Sequence, residues 1–168
     1  MLSQTSEYAL RAAAFLASEV DTPRTVEAIA GRTQVPRDYL AKVLQQLAKA
    51  GIVRSQRGLG GGFVLARTPD RISILEVLNA VDPIRRIERC PLSLPEHAKQ
   101  LCALHRQLDD AFAAAEASFR DSTLGDLVRP PSHRDAPPAW PPSALPKRAR
   151  AARKTRSTAK PRRRTPWK

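Results

Sequence analysis

A mainly α-helical domain interrupted by one short β-hairpin is the fold class this sequence predicts. Three observations predict it. Helical apolar spacing recurs along the first 120 residues, a single glycine-rich hairpin pattern (IVRSQRGLGGGFVLA) breaks it, and a sharp change in charge marks where folded chain ends. Residues 1–128 carry 16 Lys and Arg against 15 Asp and Glu, whereas residues 129–168 carry 13 against Asp135 alone. The formal net charge of +13 therefore belongs almost entirely to the C-terminal segment, which also holds nine of the 15 prolines. With few large apolar groups, such a segment cannot offset its ordering entropy. Residues 1–128 are expected to fold, and residues 129–168 to form a disordered tail rich in Pro, Arg and Lys.

The elements follow in order. Residues 4–19 hold Ala, Leu, Tyr and Phe with no Gly or Pro, a helix by propensity. DTPRT breaks it, and Thr25 caps a short helix, VEAIA, expected to end at Gly31. RTQV then leads into PRDYLAKVLQQLAKAG, where Pro36 suits a first helical turn. Leu40, Val43, Leu44 and Leu47 fall at i, i+3, i+4 and i+7, one apolar stripe, with Arg37, Asp38, Ala41, Lys42, Gln45 and Lys49 on the other side. Gly51 ends this helix, and IVRS and GFVLA form the hairpin. Ser73 and Glu76 make a capping box, with Ile72 stapled onto Val77, at the start of SILEVLNAV. Residues 82–98 read as a loop. From about residue 99 to 120 the chain is helical again, with Leu101, Leu104, Leu108, Ala111, Ala115 and Phe119 in a narrow, nearly heptad seam. A chain this short has too few opposing apolar helices to cover that seam. Contact with a second copy covers it better, and packing against residues 4–19 is the alternative.

Helix, helix, turn, longer helix and two-stranded ribbon is the order of a winged helix-turn-helix, whose second helix enters the DNA major groove. Charge agrees. Residues 22–71 carry nine basic side chains against three acidic ones, while the rest of residues 1–128 is net acidic. Positive charge gathered on one supersecondary unit is an electrostatic footprint for phosphate. The predicted partner is double-stranded DNA. Arg37, Asp38, Tyr39, Lys42 and Gln45 of the helix, with Arg54, Arg57, Gly58, Gly60 and Gly61 of the ribbon, are the candidate contacts. Arg57 at the wing tip suits a narrow, electronegative minor groove. Arg37 and Lys42 can reach phosphate or guanine, and Gln45 can read adenine. Tyr39 suits either a core position or a phosphate hydrogen bond.

Other classes find little support. GLGGG lacks the Lys-Ser/Thr of a P-loop and precedes a strand. No nucleophile motif surrounds His97 or His105, and no HExxH or paired zinc-ligand doublet occurs, so no enzyme and no small-molecule substrate is expected. Glu7, Arg11 and Glu19 interrupt the N-terminal apolar stretch, which argues against a leader, and no run nears the roughly 18 apolar residues of a membrane span. A cytoplasmic protein, associated with the nucleoid when bound to DNA, is expected. An architectural DNA-binding protein dominated by its basic tail is the alternative function.

VPRDYLAKVLQQLAKAGIVRSQRGLGGGFVLARTPDRISILEVLNAVD resembles the helix-turn-helix and wing of the Rrf-type winged-helix transcriptional regulators, the family that includes IscR and NsrR. SEYALRAAAFLA is similar to that family's first helix. The resemblance implies a homodimeric transcription factor, usually a repressor, whose long C-terminal helix pairs with its partner's and whose wings reach adjacent minor grooves.

CPLSLPEHAKQLCALHRQLDD, residues 90–110, holds the only two cysteines of the chain. In the cluster-binding branch that it resembles, three cysteines are spaced by five residues, and a histidine follows three after the last. Cys90 and Cys102 match the outer cysteines and His105 the histidine, but Glu96 stands in the middle. A 2Fe–2S cluster needs four ligands, usually thiolates, with histidine and other side chains tolerated at some positions. Cys102 and His105, at i and i+3, are expected on one helical face. Glu96 is one candidate for the fourth ligand. Glu7 is the other, matching an acidic ligand that some relatives contribute from the partner's first helix. Zinc, a thiol pair that closes to a disulfide, and two buried thiols with no ligand stay open beside the cluster.

Overall fold

The computed structural model describes residues 2–58, 60–92 and 100–129. The segment from 130 onward, predicted as a disordered tail, and Glu96 lie outside the described residues. The architecture is a winged helix-turn-helix followed by a long helix. Helix α1, Gln4–Ser18, is its centre, with Ala9, Ala12, Ala13, Phe15, Leu16 and Ala17 all in the core. A helix apolar on most of its circumference is a core helix. It packs against α2 (Val26–Thr33), α3 (Arg37–Lys49), α4 (Ile74–Val81) and α6 (Leu124–Val128). Its small alanines allow those close approaches.

Helix α2 starts where expected, with the Thr25 hydroxyl accepting from the Ala28 amide at 3.2 Å. It does not stop at Gly31. The helix runs to Thr33, and Gln34 takes the left-handed conformation at φ 56°. Burial explains the extension. Thr33 is an internal residue whose hydroxyl donates to the Ile29 carbonyl at 2.8 Å, so packing of Ile29 and Thr33 carries the helix past the glycine. Helix α3 buries Leu40, Val43, Leu44 and Leu47, the stripe read from spacing. Gly51, at φ 71°, ends it, with Gly51 donating to Ala48 at 3.1 Å and Ile52 to Leu47 at 3.0 Å. That is a Schellman closure.

The wing is an antiparallel pair, β1 (Val53–Gln56) and β2 (Gly62–Leu65), in the register Val53↔Leu65 to Gln56↔Gly62. The residue pattern alone did not indicate a third participant. Arg24, before α2, exchanges both backbone hydrogen bonds with Phe63, at 3.0 and 2.8 Å. This ties the wing to the start of the helix pair. A Cβ on Gly62 would lie 2.4 Å from the Arg24 carbonyl oxygen, so glycine is required there by close approach.

Helix α4 has the expected capping box, Ser73 with Glu76, and Ile72 and Val77 are fully buried. Helix α5, Ala103–Asp121, begins later than expected. Cys102 is its N-cap, in extended conformation, so Cys102 and His105 meet across the cap and first turn and not along a helical face. After α5 the chain returns to the core, with Ile74 and Leu124 donating to the carbonyls of Ser122 and Ile72 at 2.9 Å each. The short helix α6 was not anticipated. Arg129, first residue of the predicted tail, follows it and pairs with Asp70 at 2.9 Å.

No residue of α5 is buried in the single chain. Leu104 is 63% exposed, Leu108 43% and Phe112 41%. Between α5 and the N-terminal end of α1 lies a cavity of about 380 Å³, lined by Leu2, Ile84, Phe112, Ala115 and Phe119 among others.

Candidate DNA interface and thiol–imidazole site

The buried stripe of α3 decides which side chains face outward. Opposite Leu40, Val43, Leu44 and Leu47, the helical period places Asp38, Lys42, Gln45 and Lys49 in a second stripe, all exposed. Lys49 belongs to this face although only its neighbours were singled out as contacts. Arg37 stands to one side, where its Nε donates to Glu27 on α2 at 2.6 Å. The Glu27 backbone amide, then Arg37, holds that carboxyl below the ordinary range.

Tyr39 stands on the opposite flank. Its hydroxyl bonds to the Thr5 hydroxyl on α1, and its ring meets Tyr8 edge-on at 5.5 Å. The ring packs between helices, yet the residue stays exposed and borders a cleft lined by Thr5, Lys42, Gln45, Gln46 and Lys49. On the wing, Arg54, Arg57, Gly58 and Gly60 are exposed and Gly61 is half-buried. Gly58 and Gly60 have φ of 105° and 78°, and Gly61 donates to the Gly58 carbonyl at 2.9 Å. Glycine permits this tight tip. Arg57 stands at its start.

Cys90, Cys102 and His105 come together as the sequence suggested. Their ligand atoms all lie within 4.8 Å of one another. The His105 Nδ1 is 3.2 Å from the Cys102 sulfur and 3.4 Å from that of Cys90. Cys90 is only 8% exposed, and the other two are half-buried. The Cys102 thiol pKa is lowered. The His105 backbone amide is the largest cause, burial opposes it, and the Cys90 thiol and the Leu104 amide add to the lowering. A sulfur at a helix N-terminus gains thiolate character from those amides and from the dipole. Two thiols and an imidazole suit iron or zinc. Among the described residues of one chain, the trio has no fourth member. Glu7, 54% exposed, pairs with Arg11 and is not part of the group.

Sequence reasoning missed an ion pair beside this site. Arg86 donates from Nε and Nη2 to the Asp109 carboxylate at 2.8 and 2.6 Å, and the Ile87 amide donates to the same group at 2.8 Å. Arg86 and Asp109 are 23 residues apart. No local signal marks such a pair.

Residues 2–130 match the family model described as Rrf2, iron-dependent transcriptional regulator. The chain belongs to the Rrf2 family. This Rrf2 chain is 35% identical over 131 residues to a protein of Aquifex aeolicus assigned as an HTH-type transcriptional regulator, covering 76% of this chain and 91% of that one. It is 29% identical to the HTH-type transcriptional repressor NsrR of Streptomyces coelicolor, over 78% of this chain and 90% of NsrR. Among solved structures, CymR of B. subtilis, the global cysteine regulator, aligns with TM-score 0.64 at 26% identity, covering 76% of this chain and 95% of CymR. IscR of T. potens aligns with TM-score 0.62 at 24% identity, covering 75% and 84%, a likeness of fold. As an Rrf2 member the chain is a DNA-binding winged-helix transcriptional regulator. No described helix is long and apolar enough to cross a membrane.

Proposed function

We propose that the chain is a homodimeric, sequence-specific repressor whose affinity for DNA answers to the state of Cys90, Cys102 and His105. The observation that carries the sensing part is the convergence of their three ligand atoms within 4.8 Å. These residues would hold a 2Fe–2S cluster, with Glu7 of a second copy or Glu96 as the further ligand. Such a cluster supplies one-electron redox chemistry and reactivity towards nitric oxide and oxidants. Cys90 lies on the segment that follows α4, so a change in its bonding pulls on the element packed against α3. Without a cluster, the same two thiols suit a disulfide switch.

The open apolar side of α5 supports the dimer, since Leu104, Leu108 and Phe112 are exposed in one chain. Direction of control is proposed from likeness to NsrR, itself a repressor. Lys42, Gln45 and Asp38 on α3 are proposed to meet the major groove, and Arg54, Arg57 and the glycines of the wing the adjacent minor groove and phosphates. The basic tail adds sequence-independent affinity by counterion release.

Two experiments test this reading. The purified protein should footprint a pseudo-palindromic operator, and Arg57→Ala should weaken that binding. Equal affinity for operator and random duplex would favour the architectural alternative. After anaerobic reconstitution with iron and sulfide, a visible chromophore should appear in the wild type and be lost in Cys90→Ala and Cys102→Ala. Colourless, iron-free protein excludes the cluster, and unchanged operator binding in both variants excludes the thiol switch as well.

A further inference from the structure

Cys90 reaches the site from one segment, and Cys102 with His105 from another. Two sulfurs and an imidazole can act together only if the first segment is held against α5. Between the first segment and α5, one carboxylate takes three hydrogen bonds: two from the Arg86 guanidinium at 2.8 and 2.6 Å, and one from the Ile87 amide at 2.8 Å. Arg86 also reaches Glu116, two helical turns further along α5, at 3.7 Å. Asp109 stands one turn beyond His105 on the same side of the helix, and Ile87 lies three residues before Cys90. The Asp109 side chain is 15% exposed.

An exposed ion pair contributes little. This one differs, because the guanidinium is bidentate, the carboxylate is largely covered, and a backbone amide shares it. Loss of the carboxylate would leave Arg86 only its longer contact with Glu116, return the Ile87 amide to water and free the segment that leads to Cys90. Asp109 bonds Arg86 and the Ile87 amide, and Arg86 bonds Asp109 and Glu116, so the influence of the pair on the sulfurs is through position.

We propose that Arg86 and Asp109 are positioning residues that set the approach of Cys90 to Cys102 and His105, and so govern both metal capture and disulfide closure there. The inference rests on the thiol–imidazole reading above. Bringing reacting groups together in advance raises the rate and affinity of what they do jointly.

The test uses the full reduced chain. Cobalt(II) is titrated in, read by thiolate-to-cobalt charge-transfer absorption. Separately, diamide takes two electrons and two protons from the thiols of Cys90 and Cys102 as their sulfur–sulfur bond forms, followed by mass. Arg86→Ala and Asp109→Ala should weaken cobalt binding and slow closure about tenfold. Asp109→Asn, which keeps an oxygen for the Ile87 amide, should fall between them and the wild type. Arg129→Ala removes an ion pair with Asp70 at 2.9 Å, which shares no partner with the clamp, and should change neither reading. Melting temperature and helicity separate positioning from general loss of structure. If the alanine variants do not fold, Arg86→Lys, which keeps charge but not the bidentate fork, should still slow closure. Wild-type rates and affinities in the folded variants would overturn the proposal while leaving the metal reading intact. A wild type that ignores cobalt, yet closes at a rate the clamp controls, would overturn the part of the proposal that concerns metal capture and keep the part that concerns closure. A wild type that does neither removes both.

Discussion

Tyr39 of α3 meets Tyr8 of α1 edge-on, with ring centroids 5.5 Å apart and planes at 78°. Its hydroxyl bonds to Thr5, so the pair fixes the angle at which α3 is presented. Tyr39→Phe should cost about 1 kcal/mol, a lost half-exposed hydrogen bond, with operator preference unchanged. Tyr39→Ala should cost about 1 kcal/mol more, because the edge-to-face contact goes too. Urea unfolding measures both, and equal losses in the two variants would show that the ring contact contributes nothing.

Gly62 lets the Arg24 backbone pair with Phe63. Gly62→Ala places a Cβ against the Arg24 carbonyl, which cannot give way without breaking the bridge. A loss of about 1–3 kcal/mol is expected, as for overpacking elsewhere. Amide exchange at Arg24 and Phe63 should accelerate most. Protection unchanged at those two amides would contradict this account of the wing's attachment.

The Asp109 carboxyl is held down to about 2, by the Arg86 side chain first and the Ile87 amide second. An unfolded aspartate titrates near 3.9. A depressed folded value means the contribution to stability is fully present above about pH 4 and is lost as pH falls through about 2. The rate of thiol closure, corrected for thiolate fraction, should therefore not register the clamp's protonation between about pH 5 and 8. Carboxyl carbon shifts should place the Asp109 midpoint near 2 in the wild type and raise it in Arg86→Ala. A wild-type midpoint near that of a free aspartate would mean that the pair does not persist in solution.

Glu27 neutralises Arg37 at the edge of the DNA face, with Nε to Oε1 at 2.6 Å. Glu27→Gln should free that guanidinium and raise affinity for any duplex. Lys42→Ala and Lys49→Ala should each flatten the slope of log affinity against log salt by about 0.9 per lost phosphate contact. Gln45→Ala should instead narrow the gap between operator and random duplex, by about 1–3 kcal/mol if it reads a base. Fluorescence anisotropy over a salt series distinguishes these, and a Glu27→Gln chain with lower affinity would contradict the balance described.

What the sequence alone determined is whatever depends on neighbours within a few residues. The α3 stripe, the Ser73–Glu76 box, the Gly51 stop and the glycine-rich wing are all set by period, cap or backbone freedom, and each was legible. The coming together of Cys90, Cys102 and His105 was legible through resemblance, and through a proline-bearing loop able to bring Cys90 back towards the other two. Tertiary structure decided the rest. Burial of Thr33 carried α2 past a glycine that would stop an isolated helix. The Arg24–Phe63 bridge and the Arg86–Asp109 clamp join residues distant along the chain, and such contacts leave no periodic trace. They are chosen by which surfaces remain to be covered once the local elements have packed around α1.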